Sequence, residues 1–284
     1  MKKFLVLILT LALSLGACLG LTACGGNDEN KPTIISGITL VQEQYGIAAK
    51  KSNEALVSKV NEALIAIADG EMKTIGDAYG LTSEISVTSS TTNPLANAND
   101  GSWDNVVARN KVVIGYTIFA PIAYDVVDDI PTKGYDIELA KAVFAYLNKT
   151  YSTNIEVEFL KIEWSAKESM LAGGSLDLVW NGLTITPARS EEMCISIPYL
   201  NNKQVALTMS KNAEKFNSIA SLKDAVMGAE DGSAGEEEIA NKITCKEYIK
   251  CTSQLDAFNS LKAGTLDAIV IDSVMANYYI SLEK

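Results

Sequence analysis

Residues 174–189 read Gly174-Ser175-Leu176-Asp177-Leu178-Val179-Trp180-Asn181-Gly182-Leu183-Thr184-Ile185-Thr186-Pro187-Ala188-Arg189. A glycine stops a helix, a tight turn follows, and 177–180 is apolar enough for a strand buried on both faces. The polar residues after it leave that strand at its carboxyl end, where open parallel sheets bind ligands. Leu261-Lys262-Ala263-Gly264-Thr265-Leu266-Asp267-Ala268-Ile269 echoes Leu171-Ala172-Gly173-Gly174-Ser175-Leu176-Asp177-Leu178-Val179. Either a common αβ turn is used twice, or the chain holds two lobes of similar α/β build. A cleft between two such lobes is a favoured place for a small ligand.

Working outward, the same grammar recurs. Strands are predicted at 111–116, 155–160, 204–209 and 268–271, with a short one ending near Glu230. Asp136 is read as the cap of a helix with Ile137, Ala140, Phe144 and Leu147 inward. Ser165-Ala166-Lys167-Glu168 and Ser221-Leu222-Lys223-Asp224 read as capping boxes. Helices are predicted after Ser233 and over 255–263. Toward the N-terminus, 82–102 is rich in Ser, Thr, Asn and Gly and reads as a linker or long loop. Before it, Ser52 opens a helix whose apolar face is Leu56, Val60, Leu64 and Ile67, with Gly70 as its stop. A shorter helix carries Met72, Ile75 and Tyr79, and 33–40 reads as a strand.

Composition narrows the function. The chain has 284 residues, no His and a net charge of −11. The absence of His removes the Ser-His and Cys-His dyads and His-ligated zinc. The acidic balance argues against nucleic-acid binding, which runs on Lys and Arg. Lys2 and Lys3 precede an apolar run, 4–15, too short to span a bilayer of about 30 Å. It reads as the core of a signal peptide over 1–23. Leu21-Thr22-Ala23-Cys24 resembles a bacterial lipobox, with Cys24 as the lipidated residue and a polar tether, 24–31, after it; Leu15-Gly16-Ala17-Cys18 also fits. The chain is expected at the extracytoplasmic face of the cell membrane, lipid-anchored. Cys245 and Cys251 are close enough in sequence for a local disulfide without requiring one. Cys194 reads as a buried thiol.

Four features converge on a zwitterion. Arg189 offers a fork that matches a carboxylate, and Thr184 adds a hydroxyl and an N–H. Taken alone, Arg189 is an ordinary surface charge. Gly232-Ser233-Ala234-Gly235 opens a helix after a strand, which is either an anion site or plain N-capping by Ser233. Asp272 ends a strand, placed either to pair with an ammonium group or to cap the next helix. Phe119 and Trp164 each follow a strand, as ligand-flanking rings or as core.

The order and spacing of these features from about 111 to 279 resemble the extracytoplasmic solute-binding proteins of polar amino-acid ABC transporters. The carrying stretches are Val112-Val113-Ile114-Gly115-Tyr116-Thr117-Ile118-Phe119-Ala120-Pro121, Gly134-Tyr135-Asp136-Ile137-Glu138-Leu139-Ala140, Gly174 to Leu178, Gly182 to Arg189, Ile197-Pro198-Tyr199, Gly232-Ser233-Ala234 and Leu266 to Asp272. The resemblance implies an α/β, two-lobed, type II periplasmic-binding-protein-like fold with a two-strand hinge. It implies that Arg189, with the N–H groups of Thr184 and of Ser233 or Ala234, holds a ligand α-carboxylate. Asp272, the Gly182 carbonyl and the Thr184 hydroxyl would hold the α-ammonium, with Phe119 and Trp164 flanking the side chain. Asn181 and Glu230 border the same pocket. Tyr116 stands where binders of glutamine and basic amino acids often carry Asp, and Ala188 where an acidic residue is usual. The implied partners are a free amino acid, a permease and its ATPase, with no cofactor and no metal.

Val41-Gln42-Glu43-Gln44-Tyr45-Gly46-Ile47-Ala48-Ala49-Lys50-Lys51 and the helices after it resemble the family's C-terminal segment. A circular permutation is therefore expected. Lobe two would comprise 32–45 and 202–284, lobe one 46–81 and 103–201, with 82–102 as the permutation linker. The rival classes are an enzyme of this fold, such as a cyclohexadienyl or arogenate dehydratase, an amino-acid sensor module, and a structural lipoprotein.

Overall fold

The computed structural model describes residues 30–283. The signal peptide expected over 1–23, Cys18, Cys24 and the start of the expected tether lie outside the described residues. The chain opens with β1 (Pro32–Ile34) and the long β2 (Gln42–Lys50), then α1 (Glu54–Ile67) and α2 (Glu71–Tyr79). After the 82–102 segment come α3 (Ser102–Arg109), β3 (Lys111–Tyr116), the hairpin β4 (Tyr124–Val127) and β5 (Ile130–Lys133), α4 (Tyr135–Tyr151) and β6 (Glu156–Lys161). Next are α5 (Lys167–Gly173), β7 (Leu178–Thr184), α6 (Pro187–Glu192), β8 (Met193–Ile195) and β9 (Leu200–Met209). The last stretch is β10 (Val226–Glu230), α7 (Ala234–Lys242), β11 (Glu247–Cys251), α8 (Gln254–Ala263), β12 (Ala268–Asp272) and α9 (Ser273–Leu282).

The main strands lie in the order β11-β10-β12-β9-β2-β7-β3-β6. β9 joins the two halves. Its start pairs antiparallel with β2, Leu200 opposite Tyr45, and its end pairs with β12, Asp272 opposite Gln204. β3 is parallel to β6 and β7, and β10 is parallel to β11 and β12. Each half is thus a small sheet clad by helices. The chain passes between the halves twice, near 41–42 and near 203–204, where the Gln204 N–H donates to the Val41 carbonyl (3.0 Å). Every residue of β7 is buried, as the apolar run requires. α1 buries Leu56, Val60, Leu64 and Ile67 against α3 and α4; each such side chain contributes about 1.5–3 kcal/mol. Gly174 and Gly264, the two glycines of the sequence echo, are both left-handed helix caps (φ 76° and 77°).

Several local expectations are corrected. The strand expected over 33–40 is only β1, because Gly37 packs directly on the Asn217 carbonyl, where a Cβ would sit 2.2 Å away. Asp136 does not cap α4; it is fully buried one residue inside it. Asn53, not Ser52, is the N-cap residue of α1. The box at Ser165 does not form; the second box is made by Ser218 with Ser221, around a 3-10 turn over Ile219–Asp224. Cys194, Cys245 and Cys251 are all free.

Candidate functional site

β7 and β12 are the echoed strands, one in each half, and both deliver their carboxyl ends to one narrow crevice. Its lining is Phe119, Trp164, Asn181, Gly182, Thr184 and Arg189 from one half, with Glu230, Ser233, Ala234, Gln254 and Asp272 from the other. Ten of the eleven expected ligand-site residues therefore meet. Tyr116 does not. Its ring packs with Ala123, Ile137 and Phe159, and its hydroxyl donates to the Asp129 carbonyl (2.9 Å). Strand alternation decides this: Thr117, one residue on, turns inward and its hydroxyl is hydrogen-bonded to the Asn181 amide (2.8 Å).

Arg189 is held at the start of α6. Pro187 begins that helix, and the Thr186 hydroxyl caps it by accepting the Arg189 N–H (3.2 Å). The buried guanidinium donates to the Thr184 carbonyl (2.9 Å) and, across the crevice, to the Gly232 carbonyl (3.1 Å). Lys167, 1% exposed, donates to the same Gly232 carbonyl (3.1 Å) and stands 4.7 Å from the Trp164 ring centroid. Burial pushes the Lys167 pKa down, and the neighbouring Arg189 charge adds to this. Two cations of one half thus grip one carbonyl of the other, and the halves stand closed on each other.

Gly182 is in the left-handed region (φ 63°), and a Cβ there would lie 2.7 Å from the Phe119 ring. Its N–H donates to Asp136 (2.9 Å), which also accepts the Tyr199 hydroxyl (2.8 Å). Burial raises the Asp136 carboxyl from 3.8 to about 7. In the other half the Ser233 hydroxyl caps α7 by accepting the Glu236 N–H (3.2 Å), while the Ser233 N–H donates to the Glu230 carbonyl (3.1 Å).

Asp272 is 4% exposed and makes no helix-capping bond. Its carboxylate accepts from the Tyr45 hydroxyl (2.6 Å), Gln204 (3.1 Å), Asn202 and Gln254. Glu43 on β2 shares Asn202 (2.6 Å) and Gln204 (2.8 Å) as donors. Burial, then the charge of Asp272, raises the Glu43 carboxyl from 4.5 to about 9. Burial, then Asp272, raises Glu230 to about 8. Lys167, Gln254, Tyr45, Glu43, Asn202 and Gln204 were not singled out from sequence. Their only sequence signal is polarity inside apolar strands or at helix starts, and their partners lie far away in the chain.

Larger cavities lie elsewhere, one between α2 and α9 and one beside α5, but neither brings a guanidinium and a carboxylate together from the two halves. Among the described residues no group of three or more His, Cys, Asp or Glu side chains is placed to hold a metal ion.

A crevice between two hinged α/β halves, with an arginine on one wall and a carboxylate on the other, defines the class of two-lobed solute-binding proteins. Residues 112–227 match the family model described as bacterial extracellular solute-binding proteins, family 3. A substrate-binding protein of an ABC uptake transporter from Streptococcus pneumoniae, solved with bound histidine, is 30% identical, with a TM-score of 0.56 over 64% of this chain and 73% of that one. An ancestral amino acid-binding protein, a precursor of cyclohexadienyl dehydratase, is 27% identical with a TM-score of 0.57, over 63% of this chain and 78% of its own. The arginine-binding extracellular protein ArtP of Bacillus subtilis (strain 168) is 27% identical over 187 residues, 64% of this chain and 68% of that protein. The chain belongs to the bacterial extracellular solute-binding proteins, family 3.

Proposed function

We propose that this protein captures a free polar amino acid outside the cell and presents it to an ABC permease driven by its ATPase. The observation that carries this is the meeting of buried Arg189 and buried Asp272 across one crevice. An amino acid has two charged ends, and this pair complements both. Arg189, the Thr184 N–H and the start of α7 receive the α-carboxylate. Because the Ser233 N–H already serves the Glu230 carbonyl, Ala234 is the α7 donor. Asp272, the Gly182 carbonyl and the Thr184 hydroxyl receive the α-ammonium, between Phe119 and Trp164. The guanidinium's bonds to the Thr184 and Gly232 carbonyls are neutral-acceptor bonds, and a ligand carboxylate offers it a stronger charge-assisted pair. Closure excludes water and strengthens each charge pair, and ligand favours the closed form by contacts that only that form offers.

Replacing Arg189 with Ala is expected to abolish amino-acid binding by calorimetry and to leave the folded state intact by circular dichroism. Unchanged affinity would sink the site. The signal peptide and Cys24 add a lipid anchor to this reading. Cys24→Ser should move the protein from the membrane fraction to the soluble fraction in the native host; retention on the membrane would refute the anchor.

The permuted order belongs to the same reading. β2, α1 and α2 come early in the chain, yet they complete the half that otherwise runs from α3 to β8.

A further inference from the structure

Glu43 lies on β2 where the chain crosses between the halves, directly opposite Asn202 on β9. Its Oε1 accepts from the Asn202 amide (2.6 Å) and the Gln204 amide (2.8 Å). The same two amides donate to Oδ1 of Asp272, Gln204 at 3.1 Å. Two buried carboxyl groups, 7% and 4% exposed, thus converge on one pair of amide nitrogens, within reach of each other. The second oxygen of Glu43, Oε2, is buried and receives no hydrogen bond. Two ionised carboxylates so placed repel each other and lose their hydration, so the pair needs a cation or a proton.

Among the described residues no Lys or Arg donates to either carboxyl. The remaining side-chain donors to Asp272 are the Tyr45 hydroxyl and the Gln254 amide, both neutral. Glu230 on β10 adds negative charge beside Asp272. Lys167 donates to the Trp164 and Gly232 carbonyls and pairs with Glu168 (3.0 Å). Arg189 donates to the Thr184 and Gly232 carbonyls and faces Glu237 (4.0 Å). Glu238 of α7, which accepts the Val41 N–H (3.1 Å), is itself paired with Lys242 (2.8 Å). A proton is what remains, in line with the raised Glu43 carboxyl.

We propose that Glu43 and Asp272 share one proton, carried by Glu43, and that Glu43 is thereby a positioning residue for Asp272. Oε1 keeps the Asn202 and Gln204 amides in place, the protonated Oε2 adds no charge, and Asp272 keeps the only negative charge of the pair. On the function proposed above, which this inference deepens, the pair then matches one α-ammonium group charge for charge.

Carbon-13 spectra of the chain labelled at its glutamate side-chain carboxyls read the proton directly. The Glu43 signal is identified by its loss in Glu43→Gln or in Glu43→Asp. At pH 7.5 Glu43 is expected to show the shift of a carboxylic acid, whereas exposed glutamates, with pKa values of about 4.3, are ionised. An ionised Glu43 at that pH overturns the proposal. Calorimetry at pH 7.5 reads the positioning, with whichever of L-arginine, L-histidine and L-glutamine the wild type binds most tightly as the probe. Glu43→Ala, which strands both amides, is expected to weaken binding about tenfold, the order of one or two lost hydrogen bonds. Glu43→Gln keeps an oxygen for the amides and is neutral like the protonated acid, so it should recover most of that loss. Asp272→Asn should cost at least about 100-fold, because it removes the charge itself. Glu43→Gln as weak as Asp272→Asn, or Glu43→Ala with full affinity, overturns the positioning role. If none of the three amino acids binds, the amino-acid reading fails, while the carbon-13 spectrum still decides where the proton sits.

Discussion

Glu43, Glu230 and Asp136 are carboxyls buried without a hydrogen bond from any cation, and each holds its proton more tightly than in the unfolded chain. Their pKa values stand at about 9, about 8 and about 7, against ordinary values of 4.5, 4.5 and 3.8. Between the unfolded and folded values the native state binds more protons than the unfolded one, so stability falls as pH rises through that window. Each group can contribute up to about 1.4 kcal/mol per pH unit there. The salt-bridged or hydrogen-bonded Asp69, Asp100, Asp125 and Asp231 have lowered values and act in the opposite sense, but only below about pH 4. Lys167, lowered by burial, opposes the trend only between its depressed pKa and 10.5. The ligand-free protein should therefore melt several degrees higher at pH 5.5 than at pH 8 by scanning calorimetry. A melting temperature that rises over that interval would show that these carboxyls are ionised and paired in solution.

At the scale of elements, long apolar signals were legible and short or half-exposed ones were not. β7 and β12 are buried throughout, so their apolar runs identify them without any partner. The same runs deliver Thr184, Asp272 and, through the next helix, Arg189, which is why most of the crevice could be read from the chain. β4 and β5 form an exposed hairpin turning at Asp128 and Asp129, both with positive φ, and nothing in 124–133 alternates cleanly enough to announce it. α3 buries only Ser102, Trp103 and Val106, less than a full apolar stripe. The 82–102 segment reads as a loop by composition, yet it does the work of a cap. Asp100 accepts the Ala55 N–H (2.8 Å) and the Ser102 hydroxyl accepts the Leu56 N–H (2.9 Å), satisfying the first turn of α1 in place of Ser52. Asn93 donates to the Ser58 carbonyl (3.0 Å) and accepts from Asn61 (3.1 Å). Such pairings join residues more than thirty positions apart, beyond the reach of any local pattern. The ring of donors around Asp272 escapes for the same reason, since Tyr45 reaches it from the opposite end of the chain.

At the scale of the molecule, the proposed permutation makes a claim about which chain breaks matter. The halves are joined by two crossings, and each must be continuous for a hinge to work. The 82–102 segment is not a crossing; it runs along one half, from α2 to α3. Opening the chain there should be tolerated if the capping residues keep their places, Asn93 on one side of the cut and Asp100 and Ser102 on the other. The new joint would connect α9 to β1, which pack against each other, so a short loop can span it. Surface loops and neighbouring termini are the conditions under which such reordering succeeds. A protein reordered to run from 98 to 283, through a short glycine-serine loop, and then from 31 to 97, should fold cooperatively and bind its amino acid within about twofold of the natural order. The arithmetic of the cut favours this outcome: no crossing, no strand pairing and no crevice residue is touched, and only one surface loop is exchanged for another. An insoluble or non-binding product would mean that 30–81 is an addition tied to its place in the chain rather than the family's closing segment moved to the front.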